Sequence, residues 1–334
     1  MSTVVSQVQK TRRLAAADLA SVIAIDAALS GRTRRAYFER RVAAAKRDAE
    51  RHVQLGIDHD GTLAGFMLGR LIEGEFGRTE PELRLEAFGV KPALQHRGIG
   101  VTLARAFEAE AAKRGVQMIR TTALWREHEL LRFLDHAGYG LGGAHVLDCS
   151  LATAELGSAR EQPVEPARAP ADANDYGTPR GPQYETLARD TVEVGMLADK
   201  DIDGIARIDR RHTHRDRRGY LCRTLAEALA DSAVRVSLVA RVDGAVAGFV
   251  MARVDYGDFG RAEPVAVIDT LGVDPLQAHH GVGRALLSQL FANLSALGIE
   301  RVETVVASGA LELLGFFHAA GFRPSERLSF LKRL

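Results

Sequence analysis

Twelve residues appear twice in this chain, as Gly89-Val90-Lys91-Pro92-Ala93-Leu94-Gln95-His96-Arg97-Gly98-Ile99-Gly100 and as Gly272-Val273-Asp274-Pro275-Leu276-Gln277-Ala278-His279-His280-Gly281-Val282-Gly283. Each copy reads as a strand end, a proline turn and a glycine loop. Each then runs into apolar residues at helical spacing: Leu103, Phe107 and Ala111 after the first, and Leu286, Leu287, Leu290, Phe291 and Leu294 after the second. The glycines therefore stand at a helix start. Unpaired backbone N–H groups and the positive end of the helix dipole face outward there, so strand, Gly-x-Gly and helix form an anion site, best suited to phosphate.

Gly98 of the first loop corresponds to Gly281 of the second, and the same constant offset holds well beyond the loops without a gap. It pairs Ile25-Asp26 with Ile208-Asp209, Arg34-Arg35 with Arg217-Arg218, Tyr37 with Tyr220, Asp60-Gly61 with Asp243-Gly244 and Phe76-Gly77-Arg78 with Phe259-Gly260-Arg261. From Gly61 to Gly100, 17 of 40 positions are identical in the second copy; average composition alone gives roughly one in fifteen. A unit of this length with its own apolar pattern is a domain, not a solenoid repeat. The expected organisation is a first domain over residues 1–151, a Pro/Ala-rich linker over 152–188, which carries half of the ten prolines, and a second domain over 189–334.

Within each unit the pattern predicts a short strand (Thr11 to Leu14; Val192 to Leu197), a helix (Asp18 to Leu29; Asp201 to about Arg211), an arginine-rich loop and a second helix. Three strands follow, His52 to Ile57, Leu63 to Leu71 and Leu83 to Val90, with counterparts in the second copy. The glycine-loop helix, a strand from Met118 to Leu124, a helix from Glu127 to His136 and a last strand close the unit. The expected fold class is α/β: a mixed sheet with helices on its faces, present in two tandem copies.

Composition narrows the partners. With 44 Lys+Arg against 43 Asp+Glu, the net charge is +1. No global field draws the chain to nucleic acid or an anionic membrane, and neither is expected as a partner. Cys149 and Cys222 are the only cysteines, too few for a disulfide framework. The N-terminus has no signal-peptide core and the chain has no 18-residue apolar run, so a cytoplasmic location is expected.

Spacing separates three readings of the loops. A nucleotide-triphosphate loop needs Gly-Lys-Ser/Thr, but Gly100-Val101-Thr102 and Gly283-Arg284-Ala285 stand here. A dinucleotide fold needs a third small residue where Leu103 and Leu286 occur. The third reading fits both copies. Val-x-Pro, Gln95-His96-Arg97-Gly98-Ile99-Gly100 and a helix, with a later Gly-aromatic pair at Gly138-Tyr139 and Gly321-Phe322, resemble the acyl-CoA signature of the GCN5-related N-acetyltransferase (GNAT) superfamily. The resemblance covers nearly all of both repeats.

It implies that acetyl-CoA is the cosubstrate. Its pyrophosphate would be held by Gln95, His96, Arg97, Gly98, Ile99, Gly100 and Val101, and its pantetheine arm would lie along Phe88, Gly89 and Val90. The second copy carries over at Leu271, Gly272, Val273, His279, His280, Gly281, Val282, Gly283 and Arg284, with Ala278 in place of Gln95 and His280 in place of Arg97. The implied reaction is direct attack of an amine on the thioester in a ternary complex, the acceptor being a primary amine of a small molecule or peptide. An amine of pKa near 10 is protonated at neutral pH, so a base is needed. Glu86 and Asp269 share one repeat position in an otherwise apolar strand and are the expected bases; pairing with a neighbouring arginine is the alternative for each.

The tyrosine that usually serves as the family's acid is absent: Leu134 and Phe317 stand five residues before the Gly-aromatic pair's second member, and Glu127 and Ala310 replace the usual asparagine. Tyr37 and Tyr220 are the only tyrosines matched between copies and the remaining acid candidates; helix packing is the alternative for both. Arg34-Arg35 and Arg217-Arg218 are read as acceptor-selecting, as contacts for a CoA phosphate, or as solvated surface. His212, His214, His279 and His280 lack carboxylate or cysteine partners at ligand spacing, so no metal is expected. Trp125 is read as core, though near the acceptor side. Tandem copies also make an internal pseudo-dimer plausible, and missing acids leave open a non-catalytic acyl-CoA-binding role for one or both copies.

Overall fold

In the computed structural model, residues 10–73, 80–151, 192–230, 236–255 and 264–334 are described; the repeat match at Phe76 to Arg78 and Phe259 to Arg261 and the whole Pro/Ala-rich linker over 152–188 lie outside them. The first copy runs β1 (Thr11–Arg13), α1 (Leu19–Ser30), α2 (Arg35–Arg47), β2 (His52–His59), β3 (Thr62–Ile72), β4 (Glu82–Val90), α3 (Ile99–Lys113), β5 (Met118–Leu124), α4 (His128–His136), β6 (Gly140–Leu141) and β7 (Ala144–Ser150). The second repeats the order as β8 (Glu193–Met196), α5 (Ile202–Thr213), α6 (Arg218–Ala230), β9 (Leu238–Val242), β10 (Ala245–Asp255), β11 (Val265–Val273), α7 (Val282–Ala296), β12 (Arg301–Ala307), α8 (Leu311–Ala319), β13 (Arg323–Pro324) and β14 (Arg327–Arg333). These are two mixed-sheet α/β domains, as the duplicated pattern requires.

Local chemistry explains the joints. Asp60-Gly61 and Asp243-Gly244 both hold positive φ, at 49° and 72° and at 51° and 76°. That is the two-residue turn whose twist matches antiparallel strands. α1 and α2 bury Val22, Ile23, Ile25, Tyr37 and Phe38 on one face of the sheet, together with Leu63, Phe66 and Leu68 of β3. α3 and α4 cover the other face through Leu103, Phe107, Ala111 and Leu134. A side chain on Gly69 would collide with the Phe107 ring, so the glycine lets α3 lie directly on β3.

The sheet order is β1-β2-β3-β4-β5-β14-β6 in one sheet and β13-β7-β12-β11-β10-β9-β8 in the other. The last strand of each copy is thus exchanged. β14 pairs with β5 from Arg327 opposite Leu124 to Arg333 opposite Met118. β7 pairs with β12, from Arg301 opposite Ser150 to Ala307 opposite Ala144. Each sheet is completed by the chain of the other copy, so the boundaries read from the sequence do not coincide with sheet membership. The crossover is reciprocal: the Trp125 N–H donates to the Glu326 carbonyl at 3.1 Å, and Ser308, its counterpart, donates to Gly143 at 3.0 Å.

Candidate functional site

Both glycine loops take one backbone form. Gly98 and Gly281 sit just before their helices at φ 81°, a left-handed conformation that glycine adopts freely. His96 and His279 lie in the same region at 60° and 64°, where side chains are uncommon. The first intrahelical bonds are Thr102 N–H to the Gly98 carbonyl and Ala285 N–H to the Gly281 carbonyl. The N–H groups of Ile99, Gly100 and Val101 precede that bond and have no intrahelical acceptor. Nothing lies within 4 Å of where a side chain on Gly98 would start, so the loop opens onto free space. A side chain on Gly100 would come 3.1 Å from the rings of Phe88 and Phe133, and one on Gly283 would come 3.0 Å from Phe316. Backbone and space both fit a pyrophosphate. Ile99 and Val282 are buried, so only their backbone can serve a ligand.

The strand feeding the loop separates from its neighbour. β4 pairs with β5 only at Leu83 with Ile119 and Arg84 with Arg120. β11 pairs with β12 only from Ala266 to Ile268. Beyond these points Phe88, Gly89 and Val90, and Leu271, Gly272 and Val273, border a widening gap. Phe88 stacks on Phe133 of α4 with ring centroids 4.4 Å apart, closing one wall of the first gap.

Side chains distinguish the two loops. Gln95 donates through Nε2 to the Val90 carbonyl at 3.4 Å. Ala278 cannot do this, and the equivalent Val273 carbonyl is met at 2.6 Å by Nε2 of His212 from α5. A carbonyl only accepts, so that histidine nitrogen carries the proton. Lys91 reaches Thr62 Oγ1 at 3.1 Å, while its counterpart Asp274 is buried and binds Arg207 at 2.6 Å and also Arg211. Burial opposes the charge on Asp274, but hydrogen bonds from Arg207, the Leu276 N–H and Arg211 outweigh it and hold the carboxyl below its ordinary range. The first loop thus carries Lys91 and Arg97 where the second carries Asp274 and His280. Exposed side chains, among them Arg97, His279, His280 and Arg284, ring the loop mouths.

Glu86 and Asp269 stand at matching irregularities. The β3–β4 register passes from Leu68 opposite Ala87 to Gly69 opposite Leu85, leaving Glu86 as the extra residue. Asp269 is passed over in the same way between β10 and β11. Such bulges re-aim a side chain out of the regular alternation. Glu86 is 1 % exposed and lies 3.2 Å from Arg41 and 3.3 Å from Arg70. Asp269 is 3.1 Å from Arg253, the counterpart of Arg70. Arginine pairing was the alternative that the sequence allowed for both carboxylates, but it did not name the partners, although identity at positions 70 and 253 was a usable signal.

Tyr37 is on the buried face of α2, with Arg34 and Arg41 over its ring at 5.0 and 5.1 Å. Arg41 in turn lies 3.2 Å from Glu86. Tyr220 is likewise buried, with Arg217 over its ring at 5.1 Å. The solvated-surface alternative is corrected for Arg34 and Arg217, which are buried in two-pronged pairs with Asp26 and Asp209. Arg35 is exposed and pairs with Glu39. Trp125 is not core either; it is 58 % exposed. No helix among the described residues is long and apolar enough to cross a membrane.

Comparison with known proteins agrees with this geometry. The model of the acetyltransferase (GNAT) family matches residues 22–139 and again 202–322. Mycothiol acetyltransferase of Clavibacter sepedonicus is 31 % identical over 241 residues, covering 70 % of this chain and 67 % of that protein. The enzyme of the same name from Clavibacter michiganensis subsp. michiganensis is 29 % identical over 237 residues, with the same coverage. Among solved structures, a tandem GNAT protein from the clavulanic acid biosynthesis pathway superposes with a TM-score of 0.63 at 18 % identity, covering 97 % of this chain and 98 % of that one. The glucosamine N-acetyltransferase region of a fungal multi-domain β-N-acetylglucosaminidase gives 0.62 at 15 % identity; this chain is 96 % covered but spans 38 % of that chain. The chain belongs to the acetyltransferase (GNAT) family of enzymes, whose acyl donor is acetyl-CoA.

Proposed function

We propose that the protein transfers the acetyl group of acetyl-CoA to a primary amine of a small molecule or peptide, by direct attack in a ternary complex. One observation carries the reading. In both copies a strand leaves its neighbour just before a left-handed glycine and an open helix start, which supplies a slot for an extended arm and an anion cradle at its mouth. The relatives named mycothiol acetyltransferases favour a small molecule over a peptide.

Acetyl-CoA, when bound, supplies an acetyl group activated as a thioester. The acceptor nitrogen must lose a proton as the new C–N bond forms and the C–S bond breaks. Glu86 and Asp269 are the assigned bases, buried at the bulges beside the slot, with Arg70 and Arg253 balancing their charge. Tyr37 and Tyr220 are weaker candidates for the proton donor to the leaving sulfur, because both lie within the helix-packed layer. The backbone from Gln95 to Val101 and the edge from Phe88 to Val90 hold the donor in the first copy. The two copies act as an internal pseudo-dimer.

A second reading, for the second copy alone, has a specific support. Asp274, Ala278 and His280 stand where the first loop has Lys91, Gln95 and Arg97, which favours a second copy that binds the donor weakly and serves as a scaffold. Release of free thiol from acetyl-CoA across an amine panel tests the main reading. Turnover with at least one amine is expected, and binding without turnover on any amine would overturn it.

A further inference from the structure

The parallel pairing that precedes the slot ends within one residue of the same repeat position in both copies, and one threonine stands at that end in each. Thr121 directly follows the last ladder position of β5, and its counterpart Thr304 is the last ladder position of β12, opposite Ile268. Both are buried, at 1 % and 0 % exposure. The Thr121 hydroxyl donates to the Leu85 carbonyl at 3.1 Å, and the Thr304 hydroxyl donates to the Ile268 carbonyl at 3.2 Å. Leu85 and Ile268 are themselves counterparts.

A buried strand carbonyl needs a donor, ordinarily the N–H of the next strand. Here a threonine hydroxyl donates to that carbonyl from the side. The backbone of β5 is then free to diverge from β4 while it pairs along its length with the exchanged strand β14. Threonine suits the position, since its branched side chain is stiff and favoured in strands while its hydroxyl still reaches across. On the opposite edge of β4 the bulge at Glu86 interrupts pairing with β3 directly after Leu85. The strand is therefore released from both neighbours close to the threonine bond, and the same holds at Asp269.

We propose that Thr121 and Thr304 are positioning residues: their hydroxyls donate to the Leu85 and Ile268 carbonyls at the end of the parallel pairing and hold the slot open for the amide-bearing arm of acetyl-CoA. This rests on the placement of acetyl-CoA given under Proposed function. Valine has threonine's shape without the bond, and serine keeps the bond without the methyl group.

The test titrates acetyl-CoA into the full-length protein and into Thr121→Val, Thr121→Ser and Thr304→Val variants, with steady-state kinetics and amide hydrogen exchange of each ligand-free protein. Thr121→Val is expected to weaken binding about tenfold or more, the scale of a buried hydrogen bond lost. Its KM for acetyl-CoA should rise more than kcat falls, while Thr121→Ser stays near the parent. Exchange in the valine variants is expected to change at residues 85–90 and 121–124, or 268–273 and 304–307, and to stay unchanged elsewhere. Parent-like binding by Thr121→Val, or equal loss in Thr121→Ser, would overturn the proposal, the latter by showing that packing and not the hydroxyl matters. If the parent protein takes up no acetyl-CoA, the donor-site reading falls on its own. Exchange then decides the threonines: an unchanged pattern in both valine variants refutes them.

Discussion

The backbone N–H of Gly142 donates to the carbonyl of Ser329 at 2.7 Å, joining the turn before β7 to a strand from the far end of the chain. Their repeat counterparts Ser325 and Val146 make the same bond at 2.9 Å. The two copies are therefore laced together by a symmetric exchange, in which each glycine loop belongs to a sheet that its own copy does not complete. On the first sheet the exchanged strand is also tied by Lys332, whose Nζ lies 2.6 Å from Glu108 Oε1 of α3 and also donates to the Ala137 carbonyl at the end of α4.

Removal of residues 327–334, the end of the second copy, should therefore unfold the first copy. β5 would become an unpaired edge, and Phe330 would leave the first core. Hydrogen exchange should show lost protection in β4 and β5, and acetyl-CoA binding should vanish. A milder change, Lys332→Met, should cost about 1 kcal/mol in chemical denaturation, because the pair is only partly buried.

Acetyl-CoA stoichiometry should depend on the two loops unequally. Gly98→Glu directs a carboxylate into the open space before α3 and places a side chain at φ 81°. Calorimetric heat should fall to near zero in this variant and persist in Gly281→Glu, because the second loop already lacks the Gln95 and Arg97 side chains, with Ala278 and His280 in their places. Equal loss in both variants would mean two working donor sites.

The base assignment predicts a kinetic defect without a binding defect. In a Glu86→Gln plus Asp269→Asn variant, turnover should drop by roughly 10² or more while acetyl-CoA affinity is retained. Unchanged turnover would assign both carboxylates to ion pairing with Arg41, Arg70 and Arg253 alone.

Arg34→Ala and Arg217→Ala should each be strongly destabilising, by about 3–5 kcal/mol, because each leaves a carboxylate buried without its guanidinium. The loss should appear as a lower denaturant midpoint.

Stability should also fall on mild acidification through His52. Burial pushes this histidine below its ordinary value of 6.5, against a hydrogen bond to the Asp48 carbonyl that raises it. The unfolded chain then binds a proton that the folded one resists. The contribution is intact above 6.5 and is lost as pH falls below 6.5 through the lowered folded value. A His52→Gln variant should lose stability less steeply across that interval, as read from denaturant midpoints at several pH values.

Much of this was legible in the residues. The constant offset between copies, the Asp-Gly turns, the glycine loops and the helix and strand order all rest on short-range rules, namely periodicity, left-handed glycine and helix-start chemistry. Local patterning was also enough to place Glu86 and Asp269 in a strand before the loop. It did not show the bulges that re-aim them, because a bulge is a relation between two strands.

The partners of the site's charged groups were hidden for the same reason: Arg41 and Arg70 meet Glu86 from different elements, and Arg34 turns inward only because Asp26 waits on the neighbouring helix. The strand exchange is the clearest case. β7 and β14 are similar edge-completing strands, and each could satisfy its backbone in either sheet; the chain's path across the pseudo-symmetric junction selects between them. The sequence by itself determined two copies of one fold and the loop at the heart of each. Tertiary structure decided which strand completes which sheet, because backbone hydrogen bonds carry no residue identity and are assigned only when the chain is in three dimensions.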